Sequence, residues 1–154
     1  MKLIFKQRFF SWFDSYDIYD ESGRVVYTVK GQLSWGHLLK IFDAEGNEVG
    51  IIKERIVTFL PKFEIYMGND YVGCISKQLT FFKPEYQVDY NGWSMEGDYW
   101  EWNYSIVDEG VNHIATISKQ LMKLTDTYVI DIHRPQHDLE VLMLVLAIDA
   151  EKDK

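Results

Sequence analysis

Several features that identify common protein classes are missing from this chain of 154 residues. A single cysteine excludes a disulfide framework and is typical of a reducing compartment, so we expect a cytoplasmic protein. A formal net charge of -8 disfavours a nucleic-acid partner, because phosphates require a positive surface. The sequence also lacks a Gly-rich phosphate loop, a GxSxG elbow and an HExxH pair. These absences weaken an enzymatic interpretation without excluding it.

Turn signals are present at regular intervals between short apolar-alternating runs. Four of them recur about every 23 residues, which is the spacing expected for successive β-hairpins. The five signals are Ser22-Gly23, Gly46-Asn47, Gly68-Asn69, Asn91-Gly92 and Glu109-Gly110.

The runs between the turns predict about twelve antiparallel strands in a single domain covering residues 1–154. An open sheet of that size would leave long unpaired edges, so we expect a closed β-barrel. The predicted strands cover residues 3–8, 15–20, 24–31, 37–43, 48–54, 63–67, 71–77, 85–90, 93–98, 101–107, 112–118 and 127–133.

A second repeat places a polar–aliphatic pair before an alternating pair of larger residues. The aliphatic member and the alternating pair are the positions at which residues of a common core are expected. The polar–aliphatic pairs are Gln32-Leu33, Arg55-Ile56, Gln78-Leu79 and Gln120-Leu121, and the alternating pairs are Lys40/Phe42, Phe63/Ile65, Tyr86/Val88 and Tyr128/Ile130.

The last part of the chain departs from the β pattern and predicts a helix over about 137–151. Pro135 lies just upstream, where helices begin. From Val141 to Ile148 no residue is polar, so every side of this helix must be covered. Eight residues span only about 12 Å, well short of a bilayer core of roughly 30 Å. We therefore expect no transmembrane segment and place the helix inside the barrel.

Three motifs together resemble the LURP-one-related family: Asp20-x-x-Gly23-x-x-x-Tyr27-x-x-Lys30-Gly31, then Leu39-x-x-Phe42-Asp43-x-x-Gly46-x-x-Val49, and the closing Ala147-Ile148-Asp149. The resemblance implies the tubby C-terminal fold, a twelve-stranded barrel around a hydrophobic C-terminal helix that is also proposed for phospholipid scramblases. It implies no established enzymatic activity and no cofactor. Tubby relatives bind phosphoinositide head groups through basic residues, but no individual lipid-binding lysine can be carried over to this chain.

Basic residues near the repeated strand ends are the candidate anion-binding or lipid-binding residues. If they gather at one end of the barrel, they could attract an anionic head group. The alternative interpretation is that they are solvated strand ends that keep neighbouring edges soluble. The candidates are Lys30, Lys53, Arg55, Lys77 and Lys119.

Other residues with chemical potential favour structural roles. His133 and His137 have the spacing of a helical metal pair, with Asp131 nearby, but Pro135 between them disfavours one shared helical face. Cys74 has no neighbouring base in the sequence and is interpreted as a buried thiol.

The remaining candidates are acidic and aromatic. Carboxylates at Asp20, Glu21, Asp43, Glu45, Asp108 and Glu109 fall in turns, where such side chains bond the backbone. The aromatic segment 93–104, with Tyr99, Trp100, Trp102 and Tyr104, could stack on a ligand, although alternating core and surface of two strands is the favoured interpretation.

The sequence therefore predicts a non-catalytic binding or scaffold protein, with an anionic phospholipid or a protein as its partner and with no metal or cofactor. It would be cytoplasmic, with a peripheral position at a membrane as one version. The alternative is an enzyme with an unfamiliar site at the mouth of the barrel. The oligomeric state stays open.

Overall fold

The structure is a computed structural model that describes residues 1–6, 15–34, 36–56, 59–120 and 127–152, without the side chains of Leu33 and Lys152. Within these residues it contains twelve β-strands, a short 3-10 helix over Pro135–His137 and one α-helix, α1, over Asp138–Lys152. The strands are β1 Lys2–Lys6, β2 Ser15–Tyr19, β3 Val25–Ser34, β4 Gly36–Asp43, β5 Glu48–Arg55, β6 Lys62–Met67, β7 Asp70–Gln78, β8 Glu85–Asp89, β9 Ser94–Asp98, β10 Asn103–Val107, β11 His113–Gln120 and β12 Thr127–Ile132.

All twelve strands form one antiparallel sheet that curves into a nearly closed barrel. The order runs from β8 back to β1, then through β12 to β9, and β1 and β12 pair with Phe5 opposite Tyr128. Between β8 and β9 the described residues form no backbone ladder, although these strands are consecutive in the chain. The prediction of a mainly β, twelve-stranded barrel is confirmed, and the barrel is nearly closed, with β8 and β9 in contact but without a backbone ladder among the described residues.

The two ends of the barrel are built differently. Short turns at 20–24, 44–47, 68–69, 90–93 and 108–112 close one end, which we call the turn end. We call the opposite end the loop end and define it by three connections: Ile56 with 59–61, 79–84 and 99–102. Because consecutive strands are antiparallel, β3, β5, β7 and β11 all finish at the loop end.

Helix α1 begins at the turn end and fills the barrel, as predicted. Every residue from Val141 to Ile148 is buried, and the inward-facing residues of the strands surround it. Gly50 permits close packing, since a Cβ there would lie 2.8 Å from the Sδ atom of Met143. One continuous core is therefore shared by the helix and the sheet.

A group of stacked aromatic rings fills the core near the loop end. Trp102 stacks on Tyr128 at 4.0 Å between ring centroids, and Tyr128 lies 5.1 Å from Phe5. On the other side, Tyr104 contacts Tyr99 at 5.0 Å. Ring contacts therefore join β1, near the N-terminus, to β12 and to the region around β10.

The strand limits agree with the predicted ones within two residues, except that β3 continues to Ser34. The repeat of aliphatic core positions is wrong at Ile56 and Leu79, which are exposed at the loop end. In β4 the core residues are Leu39 and Ile41, so the inward positions are shifted by one from the predicted Lys40/Phe42 pair. The side chain of Leu33 and residue Leu121 lie outside the described residues.

Candidate functional site

Five basic residues lie on neighbouring outward positions of four consecutive strands, and we call this surface the basic face. Alternation sets the orientation, because Val29, Leu39, Ile52 and Phe63 on the same strands are buried in the core. Adjacent strands are about 4.8 Å apart, so the five side chains form one continuous surface. Its members are Lys30 on β3, Lys40 on β4, Lys53 and Arg55 on β5, and Lys62 on β6.

Like charges stand directly opposite one another on this face. Lys30 pairs with Lys40 across β3 and β4, and Arg55 pairs with Lys62 across β5 and β6. Opposed like charges on paired strands are destabilising. The arrangement therefore reduces stability, and an anion bound between the side chains would relieve the repulsion.

Two carboxylates neutralise part of the basic face. Glu48 lies 3.4 Å from the Lys40 ammonium, and Glu64 lies 3.3 Å from the Arg55 guanidinium. Lys30 sits over the Phe42 ring at 4.9 Å. Within the described residues, Lys53 and Lys62 have no ion-pair partner.

The five sequence candidates do not form a single cluster. Lys30, Lys53 and Arg55 lie on the basic face, whereas Lys77 and Lys119 occupy inward positions at the ends of β7 and β11. Sequence reasoning missed Lys40 and Lys62, which complete the face. The alternation of residues along β4 and β6 could have indicated Lys40 and Lys62. However, deciding which of the two alternating faces points outward requires knowing which residues pair across the strands.

Lys77 is used to hold the end of helix α1. Its ammonium donates to Glu151 Oε1 at 2.9 Å, and the Tyr86 hydroxyl donates to Glu151 Oε2 at 2.6 Å. Burial and the hydrogen bond to Glu151 raise the pKa of Tyr86, so this phenol stays protonated. The space enclosed around these groups with Phe63 and Ile148 is too small for a water molecule.

A second polar group at the same end involves Glu54, an inward residue of β5 that is buried. Its Oε1 atom accepts the backbone N–H of His37 at 3.1 Å and lies 3.5 Å from the imidazole Nδ1. No sequence pattern indicates this pair, because only the pairing of β4 with β5 brings Glu54 and His37 together. Both polar groups bond side chains at this end of the barrel, and Lys77 also lines the open cleft of the loop end.

An open cleft of about 270 Å³ lies between the connections of the loop end. Apolar side chains form most of its wall, and the Lys77 and Lys83 side chains contribute positive charge. The apolar residues lining it are Leu60, Leu79, Phe81, Phe82, Pro84 and Trp100.

The aromatic segment 93–104 belongs mainly to the core, as favoured above. Tyr99, Trp102 and Tyr104 are buried, while Trp100 is exposed at the loop end. However, residues 99–102 form the connection between β9 and β10 rather than alternating strands. Only Trp100 is therefore placed to meet a partner.

The histidines flank the junction between β12 and the helix. The His133 ring lies 3.4 Å from the Thr116 hydroxyl, and the His137 ring packs on Trp93 at 5.2 Å. No three histidine, cysteine, aspartate or glutamate side chains are grouped as metal ligands in the part of the chain that the structure describes. Cys74 is a buried free thiol, as interpreted from the sequence.

Three of the six acidic turn residues, Asp20, Asp43 and Asp108, bond the backbone of their own turns, as interpreted from the sequence. Asp20 Oδ1 accepts from the Ser22 hydroxyl at 2.7 Å and from the backbone N–H of Arg24 at 3.0 Å. These bonds lower the pKa of Asp20 to about 2, the Ser22 hydroxyl contributing most. Asp43 and Asp108 have equivalent bonds and lowered pKa values, led in each case by the backbone N–H four residues on.

Among the described residues, no helix has both the length and the apolar character needed to cross a membrane.

Comparison with known proteins agrees with this architecture. The chain is 28% identical over 150 residues to the uncharacterized protein YxjI of Bacillus subtilis (strain 168), covering 97% of this chain and 92% of that protein. Its fold is similar to the X-ray structure of a protein from Arabidopsis thaliana, with a TM-score of 0.62, 12% identity, and coverage of 96% and 90% of the two chains. The model of the LURP-one-related family matches residues 1–149. The chain therefore belongs to the LURP-one-related family.

Proposed function

We propose that this protein is a non-catalytic binding module that recognises the head groups of anionic phospholipids through its basic face. The opposed pairs Lys30–Lys40 and Arg55–Lys62 carry the proposal, since like charges held together on paired strands favour an anionic ligand. Lys53 lies on the same face, facing Glu64 across β5 and β6. In the cell the protein would be cytoplasmic and peripheral at a membrane.

A binding role also agrees with the interior of the barrel. Helix α1 occupies the space in which a barrel would otherwise hold a substrate, and the groups around Glu151 are packed too tightly for water. Binding therefore has to use the outer surface or the loop end. The alternative enzymatic function has no comparable observation in its favour.

The test is sedimentation with vesicles of phosphatidylcholine alone and of phosphatidylcholine with one-fifth phosphatidylserine. We expect binding to the anionic vesicles at low salt, and weaker binding by the Lys53→Gln/Lys62→Gln variant. Each lysine near an anionic surface contributes about 1 kcal/mol, so the two substitutions should lower the partition coefficient about thirtyfold.

Lys2→Gln/Arg24→Gln is the matched control, because it removes the same charge from the turn end. If binding depended only on net charge, both double variants would weaken equally. Equal weakening, or no binding of the unsubstituted protein to anionic vesicles at low salt, would contradict the proposal.

A further inference from the structure

Apolar side chains extend into solvent from all three connections of the loop end. Phe59 is 93% exposed, and Phe81 and Phe82 are each 98% exposed. Patches of this kind on a protein surface mark a place where a partner binds. The remaining exposed members are Ile56, Leu79 and Trp100.

The exposure of Phe81 and Phe82 is built into their connection. The Thr80 hydroxyl donates to the backbone carbonyl of Lys83 across the two residues, and Pro84 follows immediately. This bond closes a tight turn with both phenylalanines at its tip. The aromatic rings are therefore held away from the core while other aromatic residues of the chain pack inside it.

The chemistry of these connections matches the interfacial layer of a bilayer. Phe, Leu and Trp side chains are accommodated there, and lysines beside them extend their ammonium groups back to the head groups. Lys83 follows Phe82 directly, and Arg55 and Lys62 lie on either side of the connection that carries Phe59. The basic face therefore runs into the apolar loop end without a break.

The negative charge of the turn end also favours an orientation in which the loop end faces the membrane. The turns and strand ends of the turn end contain nine acidic residues against Lys2 and Arg24, and Arg134 at the junction of β12 with the helix pairs with Asp108. An anionic surface repels that end and admits the loop end. The nine are Asp20, Glu21, Asp43, Glu45, Glu48, Asp70, Asp89, Asp108 and Glu109.

We propose that the loop end is a membrane anchor in which Phe59, Phe81 and Phe82 enter the interfacial layer of an anionic bilayer. This inference deepens the proposed function and rests on it for the electrostatic attraction. The basic face contributes contacts that salt screens, and the aromatic tips contribute apolar burial that salt does not screen. The two contributions together give an attachment stronger than either alone.

The test is partitioning onto the same two kinds of vesicle at low and high salt, with Phe81→Ser/Phe82→Ser as the variant. Because both side chains are exposed in the folded protein, the thermal midpoint should not change. Each buried phenylalanine contributes enough that losing both should lower the partition coefficient at least about tenfold. This ratio should be similar at both salt concentrations, whereas the effect of Lys53→Gln/Lys62→Gln should shrink as salt rises.

Tyr71→Ser/Val111→Ser is the matched control, since both side chains are exposed at the turn end. It should bind vesicles as tightly as the unsubstituted protein. If Phe81→Ser/Phe82→Ser also binds as tightly, the anchor is wrong while head-group binding by the basic face stands.

The opposite pattern separates the two proposals. Binding to neutral vesicles that is lost in Phe81→Ser/Phe82→Ser, with no added affinity for anionic vesicles, would support the anchor and overturn recognition of anionic head groups. Absence of binding to either vesicle would overturn both. If the unsubstituted protein instead self-associates in sedimentation velocity and the double phenylalanine variant does not, the loop end binds protein, and the membrane anchor is wrong.

Discussion

The two ends of this barrel solve the same geometric problem, the reversal of a strand, with opposite chemistry. At the turn end, carboxylates such as Asp20, Asp43 and Asp108 bond the backbone of tight turns. At the loop end, two of the three connections, 56–61 and 79–84, are longer than any of these turns, and Phe59, Phe81 and Phe82 are exposed. The acidic residues of the turn end are used within the fold, whereas the exposed aromatic residues of the loop end are the ones that the proposed membrane anchor would use.

Helix α1 joins the two ends, and at each terminus a tyrosine hydroxyl donates to a helix carboxylate, with more burial at the loop end. At the turn end, the Tyr27 hydroxyl donates to Asp138 at 2.7 Å in a partly buried position. At the loop end, the buried Glu151 accepts both Tyr86 and Lys77. Beneath the exposed aromatic tips, these two bonds fix the last turn of the helix to β7 and β8.

The largest expected effect comes from Leu144→Asp in the middle of the helix. Leu144 is fully enclosed, so the variant loses roughly 1.5 to 3 kcal/mol of apolar burial and places an unpaired charge in the core. Because both ends share one core, both should be lost together, giving an insoluble or molten protein by circular dichroism and thermal unfolding.

Leu144→Met is the control for this change, and a volume-conserving swap should cost less than about 1.5 kcal/mol. An unchanged thermal midpoint in Leu144→Asp would show that the helix is peripheral and that the ends fold independently.

A smaller effect on stability is expected at the helix termini. It can be compared directly with Tyr86→Phe at the loop end and Tyr27→Phe at the turn end. Each variant removes one hydroxyl that donates to a carboxylate. We expect a loss of about 2 kcal/mol for Tyr86→Phe, where Glu151 is buried, and about 1 kcal/mol for Tyr27→Phe, where water can replace the hydroxyl. Urea unfolding measures both values, and equal losses would remove this distinction between the ends.

The smallest effect concerns the contribution of the turn end to stability in acid. Asp20 has a pKa of about 2 in the folded protein against an ordinary value of 3.8, and the pKa values of Asp43 and Asp108 are also lowered. A carboxylate with a depressed folded pKa stabilises the protein above its ordinary pKa. That stability is lost as pH falls from about 4 towards about 2.

Asp20→Asn should therefore destabilise the protein at pH 7 and have less effect near pH 2, as measured by the free energy of urea unfolding at each pH. Asp70→Asn is the control, because Asp70 accepts no turn hydrogen bond within the described residues. If the difference in unfolding free energy between Asp20→Asn and the unsubstituted protein grew as pH falls, it would contradict this prediction.

Much of the fold could be predicted because it depends on nearby residues. Gly23 and Gly46 have positive φ angles in the turns that their positions predicted, and the apolar run from Val141 to Ile148 could only be a buried helix. The repeat was harder to interpret at its ends. Ile56 and Leu79 have the spacing of core residues, but they lie just beyond their strands, where alternation no longer fixes direction.

The candidate site was predicted only in part, because membership depends on strand register. Bulges shift the pairing at Ile41/Phe42 and Ile18/Tyr19, and such shifts leave no clear mark in composition. The repeat predicts Lys40 at a core position, although Leu39 and Ile41 are the core residues of β4. It predicts Lys77 on the surface, although its ammonium donates to the buried Glu151. A shift of one residue in strand register moves every side chain of the strand to the opposite face of the sheet.

The amino-acid sequence by itself determined the number of strands, the turns between them, the buried helix and the family, because each follows from residue spacing over a few turns or strands. Tertiary structure alone decided that the β8–β9 seam stays unpaired, that Glu54 and Glu151 are buried, and that five basic residues share one face. It also decided that the aromatic residues of the loop end face outward. These features arise between residues far apart in the chain, where packing and strand register set the neighbours and local sequence does not.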